Sequence, residues 1–151
     1  MKTVLDTSLF FMEYPFAGEL FTTPGVVAEL RDLRSKCRYE TLLAGGLHVQ
    51  EASKESLEKV RAAAESVGDA GRLSETDTGV LALALDIGGT LLSDDFAVQN
   101  VALALGIAVQ PARQRRARQR VWRFRCPGCG REAGKPGECP VCGSQIKRTI
   151  K

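Results

Sequence analysis

Four cysteines near the C-terminus constrain this chain more tightly than any other feature. Cys126-Pro127-Gly128-Cys129 is followed, after a nine-residue gap, by Cys139-Pro140-Val141-Cys142. Two C-x-x-C turns this close together read as one tetrahedral four-thiolate zinc site. Each turn contains a proline and is followed by a glycine, Gly130 or Gly143. That composition suits a tight bend whose backbone N–H groups point at the sulfurs. The alternative is a pair of disulfides. The N-terminal stretch MKTVLDTSLFF has no signal-peptide cleavage pattern, so a cytoplasmic location and reduced thiols are expected. The gap is shorter than in many four-cysteine zinc modules, yet it leaves room for a hairpin turn, which predicts a short zinc ribbon. Residues 121–125 and 145–150 are its predicted strands, and the fifth cysteine, Cys37, is expected to be an ordinary helix residue.

The charge distribution divides the chain at about the same place. Residues 1–111 carry 9 Lys and Arg against 16 Asp and Glu, a net −7. Residues 112–151 carry 12 against 2, a net +10. An acidic body with a basic tail points to a polyanionic partner, most often nucleic acid. Residues 112–125 alone hold seven arginines and no acid. Ala, Arg and Gln there are compatible with a helix or a solvated linker. No apolar run approaches the roughly 18–20 residues that would span a membrane.

Upstream, short apolar runs alternate with helical periodicity. Residues 2–6 read as a buried strand ending in Asp6, and residues 19–22 as a second strand. Thr23-Pro24 opens a helix, with a hydroxyl at the N-cap and proline at the first helical position. The spacing of Val26, Val27, Leu30 and Leu33 predicts that this helix continues to about Gly45. Residues 47–51 alternate like a strand, and Ser53 opens another helix. Ser74-x-x-Asp77 has the form of a capping start before a helix closed by Gly88-Gly89. Residues 90–93 read as a buried strand ending in Asp94-Asp95, followed by a helix over 96–105 and a last strand over 107–109. This alternation predicts an α/β sandwich with a mostly parallel sheet.

Parallel strands present their carboxyl ends along one edge, where sites form in such folds. Asp6 and Asp94/Asp95 end two of the strands, and Glu29 and Asp77 lie in the first two turns of helices that meet that edge. The pattern therefore permits Asp6, Glu29, Asp77 and Asp94/Asp95 to converge. Carboxylates brought together repel one another unless a cation lies between them. An oxygen-only ligand set suits Mg²⁺ or Mn²⁺, and the chemistry it supports is hydrolysis of a phosphodiester. Other reaction classes lack their residues. His48 is the only histidine and is expected to be structural. There is no Walker loop, and Asp6-Thr7-Ser8 lacks the second aspartate of an aspartyl-phosphate phosphatase.

Asp6-Thr7-Ser8 after a strand, Val27-Ala28-Glu29-Leu30, Ser74-x-x-Asp77 and Leu92-Ser93-Asp94-Asp95-Phe96 resemble, in that order, the four acidic motifs of PIN-domain ribonucleases. Residues 93–102, followed by a basic linker and a zinc ribbon, resemble the Nob-type endonucleases of that family, which trim the 3′ end of the small-subunit ribosomal RNA precursor. The chain has no long insertion, so it is similar to the compact archaeal form. The resemblance implies a PIN-like three-layer sandwich over residues 1–111, a basic linker over 112–120 and a zinc ribbon over 121–151. It implies that Asp6, Glu29, Asp77 and one of Asp94 or Asp95 hold one or two catalytic Mg²⁺ or Mn²⁺ ions. The family pattern of hydroxyl, any residue, then Asp favours Asp95, with Asp94 behind it. Ser8, Ser74 and Asn100 are expected to orient the carboxylates. Cys126, Cys129, Cys139 and Cys142 hold one structural zinc. Arg113, Arg115, Arg116, Arg118, Arg120, Arg123, Arg125, Lys147 and Arg148 are expected to meet RNA phosphates, and Trp122 and Phe124 to stack on unpaired bases or on their own hairpin. The implied partner is precursor ribosomal RNA or the pre-ribosomal small subunit. Two other readings stand beside this one: a non-catalytic RNA-binding adaptor, which the four filled acidic positions disfavour, and a toxin-type PIN ribonuclease, which the ribbon disfavours.

Overall fold

The computed structural model describes residues 1–12, 16–113 and 122–150, with backbone alone at 122–123 and 147–150. Five strands, β1 (Lys2–Leu5), β2 (Glu19–Thr22), β3 (His48–Val49), β4 (Thr90–Leu92) and β5 (Val109–Gln110), form one sheet in the order β3-β2-β1-β4-β5. Every pairing is parallel. The crossovers are helical: α1 (Pro24–Glu29) and α2 (Leu33–Ala44) join β2 to β3, α3 (Lys54–Val67) and α4 (Glu75–Ile87) join β3 to β4, and α5 (Phe96–Ala104) joins β4 to β5. The chain moves outward from β1 in one direction and returns to β4 on the other side. Right-handed crossovers then put α1–α2 on one face and α3–α5 on the other, which gives the three layers. No helix among the described residues is long and apolar enough to cross a membrane.

The core follows from this arrangement. Val4, Leu5, Leu91 and Leu92 are buried in the two central strands, as expected where both sheet faces are covered. In α4, Val80, Leu81, Ala82, Leu83 and Ala84 are buried in succession, so the middle of this helix is apolar all round and lies under the rest. Each fully buried Leu, Val or Phe contributes about 1.5–3 kcal/mol. His48 stacks on Phe21 with ring centroids 4.8 Å apart, a packing role in the edge strand.

One expected helix is two. The segment from Thr23 stops at Glu29, where Leu30 takes an extended ψ of 96°, and restarts at Leu33. The cause is local: Asp32 accepts a hydrogen bond from Ser35 N at 3.1 Å and caps the second helix. The break frees the C-terminal end of α1, and with it Glu29, from the direction of α2.

A second, four-stranded sheet in the order β7-β6-β9-β8 is built from β6 (Trp122–Arg125), β7 (Glu132–Ala133), β8 (Gly137–Glu138) and β9 (Gln145–Ile150). All its pairings are antiparallel. Its buried residues are Cys126, Cys139 and Ile146, with Phe124 and Ala133 packed against them. Phe124 thus faces its own hairpin. The expectations for Arg115, Arg116, Arg118 and Arg120, and for the side chains of Trp122, Arg123, Lys147 and Arg148, lie outside the described residues.

Candidate active site and zinc centre

The strand order reverses between β1 and β4, and the carboxyl ends of these two strands flank the crevice where parallel α/β sheets place their sites. Asp6 leaves the first and Ser93 the second. The register pairs Leu5 with Leu92, so Asp6 and Ser93 come level. Ser93 Oγ donates to Asp6 Oδ2 at 2.7 Å, and Asp6 Oδ1 accepts from Thr7 N at 2.7 Å. Asp6 is only 6% exposed. Burial pushes its carboxyl up to about 6, against the lowering effect of Ser93 and Thr7, and the charges of Asp77 and Asp95 push the same way.

Each remaining acid arrives by a local device. Thr23 caps α1 by accepting from Val26 N, and Glu29 at the other end accepts from Thr7 Oγ1 at 2.8 Å. Ser74 and Asp77 form a reciprocal capping box at the start of α4, each side chain bonded to the other's backbone N–H at 3.0 Å. Burial raises the Asp77 carboxyl, and the charges of Asp95 and Glu29 add to it, while the Ser74 bonds lower it. Asp95 Oδ1 caps α5 through Ala97 N and Val98 N, and its own N–H donates to Ser93 Oγ. Asp77 and Asp95 act on Asp6, and Asp95 and Glu29 act on Asp77, so the four share one electrostatic neighbourhood. Among the described residues, the potential metal-ligand group gathered within 4.8 Å is that of the four cysteines.

Asp94 Oδ1 accepts from the N–H groups of Ala112 and Arg113, at the exit from β5. Asn100 is buried and donates to the buried Asp69 at 2.7 Å, a link between α5 and the turn after α3. Ser8 Oγ is buried without a hydrogen-bond partner among the described residues. Among the described residues, the hydroxyls bonded to the four acids come from Thr7 and Ser93, together with Ser74. Both stand beside an acidic motif, Thr7 directly after Asp6 and Ser93 two before Asp95. Counting level positions across parallel strands would have found Ser93.

The ribbon repeats one turn twice. Cys126 N donates to Arg131 O and Gly130 N to Cys126 O; Cys139 N donates to Ser144 O and Gly143 N to Cys139 O. Gly130 and Gly143 hold φ of 74° and 78°, which favours glycine. The four sulfurs lie within 4.8 Å of one another, with Cys126 and Cys142 3.2 Å apart and Cys129 and Cys139 3.8 Å apart, a spread centred near the value a tetrahedral ion imposes. Tetrahedral zinc with Zn–S of about 2.3 Å needs sulfurs about 3.8 Å apart, so the donor set fits. The Ser144 side chain and N–H pull the Cys142 thiol down to about 6, and the N–H groups of Cys142 and Val141 lower Cys139. At Cys129 the Arg131 N–H lowers the thiol, but burial and the facing sulfurs outweigh it and leave it at about 11. Four crowded sulfurs of this kind are at rest as thiolates only around a cation.

Comparison with known proteins agrees with this geometry. Residues 3–87 match the family model described as the PIN domain of ribonuclease. The chain is 40% identical to the endoribonuclease Nob1 of Pyrococcus abyssi, over 97% of this chain and 92% of the relative. It is also 40% identical to the endoribonuclease Nob1 of Archaeoglobus fulgidus, over 98% and 91%. The ribonuclease VapC1 of Thermoplasma acidophilum is 35% identical, over 98% of this chain and 78% of that protein. With a PIN sheet, four acids near its switch point and a four-cysteine ribbon matched along almost the whole length, the chain belongs to the PIN-domain endoribonucleases of the Nob1 type.

Proposed function

We propose that this protein is a divalent-metal-dependent endoribonuclease that hydrolyses one phosphodiester in the small-subunit ribosomal RNA precursor and so sets its mature 3′ end. The observation that carries the proposal is the shared neighbourhood of Asp6, Glu29, Asp77 and Asp95 at the switch point of a chain similar to Nob1 endoribonucleases along almost its full length. Two raised carboxyls and an all-oxygen donor set fit a hard cation, Mg²⁺ or Mn²⁺. Asp6, Glu29, Asp77 and Asp95 would hold one or two such ions. When bound, the ion supplies a water of lowered pKa and offsets charge on the phosphate.

The protein's own groups do the positioning. Ser93 keeps one Asp6 oxygen turned toward β4, and Thr7 holds Glu29 from the neighbouring residue. The capping bonds of Asp77 and Asp95 fix one oxygen each and leave the other for a ligand. The body, at −7, repels RNA, so affinity comes from the basic residues 112–151. The division of labour is then cutting by 1–111, linkage by 112–120 and RNA holding by 121–151, with the zinc serving the ribbon fold because four thiolates leave no open position. The site of action is the cytoplasm, on the pre-ribosomal small subunit.

The likeness to a VapC ribonuclease keeps a different RNA target as the competing reading. A cleavage assay separates them. Purified protein with Mn²⁺ should cut an RNA spanning the mature 3′ end once, at that end, and leave an unrelated RNA of equal length intact. Equal cutting of both RNAs, or cutting only of the unrelated one, would refute the ribosomal assignment.

A further inference from the structure

The geometry points to Asp94 as a positioning residue that fixes where the basic segment starts relative to the acids, and so sets which phosphodiester is cut; this rests on the function proposed above. Asp94 precedes Asp95, but its Oδ1 is spent on the backbone. It accepts from Ala112 N at 2.7 Å and from Arg113 N at 2.9 Å. Two successive amides on one carboxylate oxygen form a charge-assisted clamp, stronger than neutral bonds of the same number.

Three further features make the clamp an exit guide. Ser93 N donates to Gln110 O at 3.2 Å, which carries the β4–β5 ladder up to the acidic edge. Pro111 has no N–H and ends the ladder there. Ala112 packs against the main core. The backbone is therefore held to the residue next to Asp95 as far as Arg113, which is the first arginine of the seven-arginine run. The body is acidic and contributes no attraction for RNA. The position of the substrate over the acids then depends on where the basic segment begins. Misplacement of a reacting group by about 1 Å costs on the order of 10²-fold in rate, so a fixed origin converts RNA affinity into choice of bond.

The test compares Asp94→Ala, which removes the acceptor, with Asp94→Asn, which keeps an Oδ1 acceptor, on the full chain. Amide exchange at Ala112 and Arg113 reads the clamp directly, and mapping of product ends on the precursor RNA reads the register. In Asp94→Ala both amides should exchange roughly tenfold faster. Its cuts should spread over neighbouring bonds, with KM raised more than kcat is lowered. Asp94→Asn should restore slow exchange and a single cut. Unprotected amides in the wild type, or a single cut at the wild-type bond with wild-type KM in Asp94→Ala, would overturn the inference. So would an Asp94→Asn protein as inactive as Asp95→Asn, which would place Asp94 among the reacting groups. A wild-type protein that does not cut the precursor at one bond refutes the substrate assignment instead, and the exchange measurement tells the two failures apart.

Discussion

In the ribbon the four ligands fall between Cys126 and Cys142; in the body the acids run from Asp6 to Asp95. The difference in spacing is a difference in what holds each site. The ribbon cysteines are placed by two copies of one local turn, with a small cluster behind them that, among the described residues, consists of Cys126, Cys139 and Ile146 with Phe124 and Ala133 against it. A module so small cannot offset its own conformational entropy without a cross-link or a metal. The acids are placed by the register of β1 against β4 and by helix caps, all resting on a large apolar core. The body can fold with its site empty, at the cost of carboxylates held in mutual repulsion. On the proposed reading, a metal would make the fold in one region, and the fold would make the metal site in the other.

That contrast is broken or sharpened by three changes. The largest effect is expected from zinc. Structural zinc sites contribute about 10–16 kcal/mol of apparent binding free energy that is also folding free energy. Chelation, or Cys142→Ser, should collapse the amide spectrum of residues 126–146 while that of the body persists. A ribbon that keeps its dispersed spectrum without metal would contradict this account. Gly128 gives a gentler form of the same test, since a Cβ there would lie 2.6 Å from Ser144 Oγ and 3.1 Å from Cys142 Sγ. Gly128→Ala should therefore weaken zinc affinity without changing the body.

The next effect concerns pH in the metal-free body. The Asp6 carboxyl stands at about 6 in the folded chain against 3.8 for the ordinary group. Between those values the native state binds more protons than the unfolded one, so stability falls as pH rises from about 4 to about 6. The loss is on the order of 3 kcal/mol. Denaturant titrations across that range should show it, and Asp6→Asn or saturating Mn²⁺ should flatten it. An unchanged slope in Asp6→Asn would remove Asp6 as its source. The smallest effect is expected at Ser93, which touches Asp6 and the Asp95 backbone. Ser93→Ala should lower Mn²⁺ affinity or cleavage by about 10–100-fold, the usual cost of losing a partner that orients a ligand. Wild-type values in both measurements would leave Ser93 a purely structural hydroxyl.

The two regions also differed in how far the sequence revealed them. The C-x-x-C spacing grouped the four cysteines that the ribbon gathers within 4.8 Å, because a local turn writes its members close together. The helix starts at Thr23, Ser53 and Ser74 were equally legible, since a cap is a short-range event. The acids could be grouped only through the order of strands and the family likeness. Their hydrogen-bond partners were not legible, because they depend on register. Nothing in the neighbourhood of Ser93 says that it comes level with Asp6, or that Asn100 finds Asp69 across the body. Ser8 stands two residues from Asp6, yet its buried Oγ has no hydrogen-bond partner among the described residues, while Thr7 reaches Glu29. The break at Leu30 was hidden by apolar periodicity that runs through it, and the cap at Asp32 overrode that pattern.

The central claim is that holding and cutting RNA are separate tasks of separate regions. Asp6→Asn tests it most directly when binding and cleavage are measured on the same precursor RNA with Mn²⁺. The account predicts a Kd within about twofold of wild type and single-turnover cleavage reduced on the order of 10³-fold or more. A variant that cleaves at the wild-type rate, or that loses affinity in step with cleavage, would contradict it.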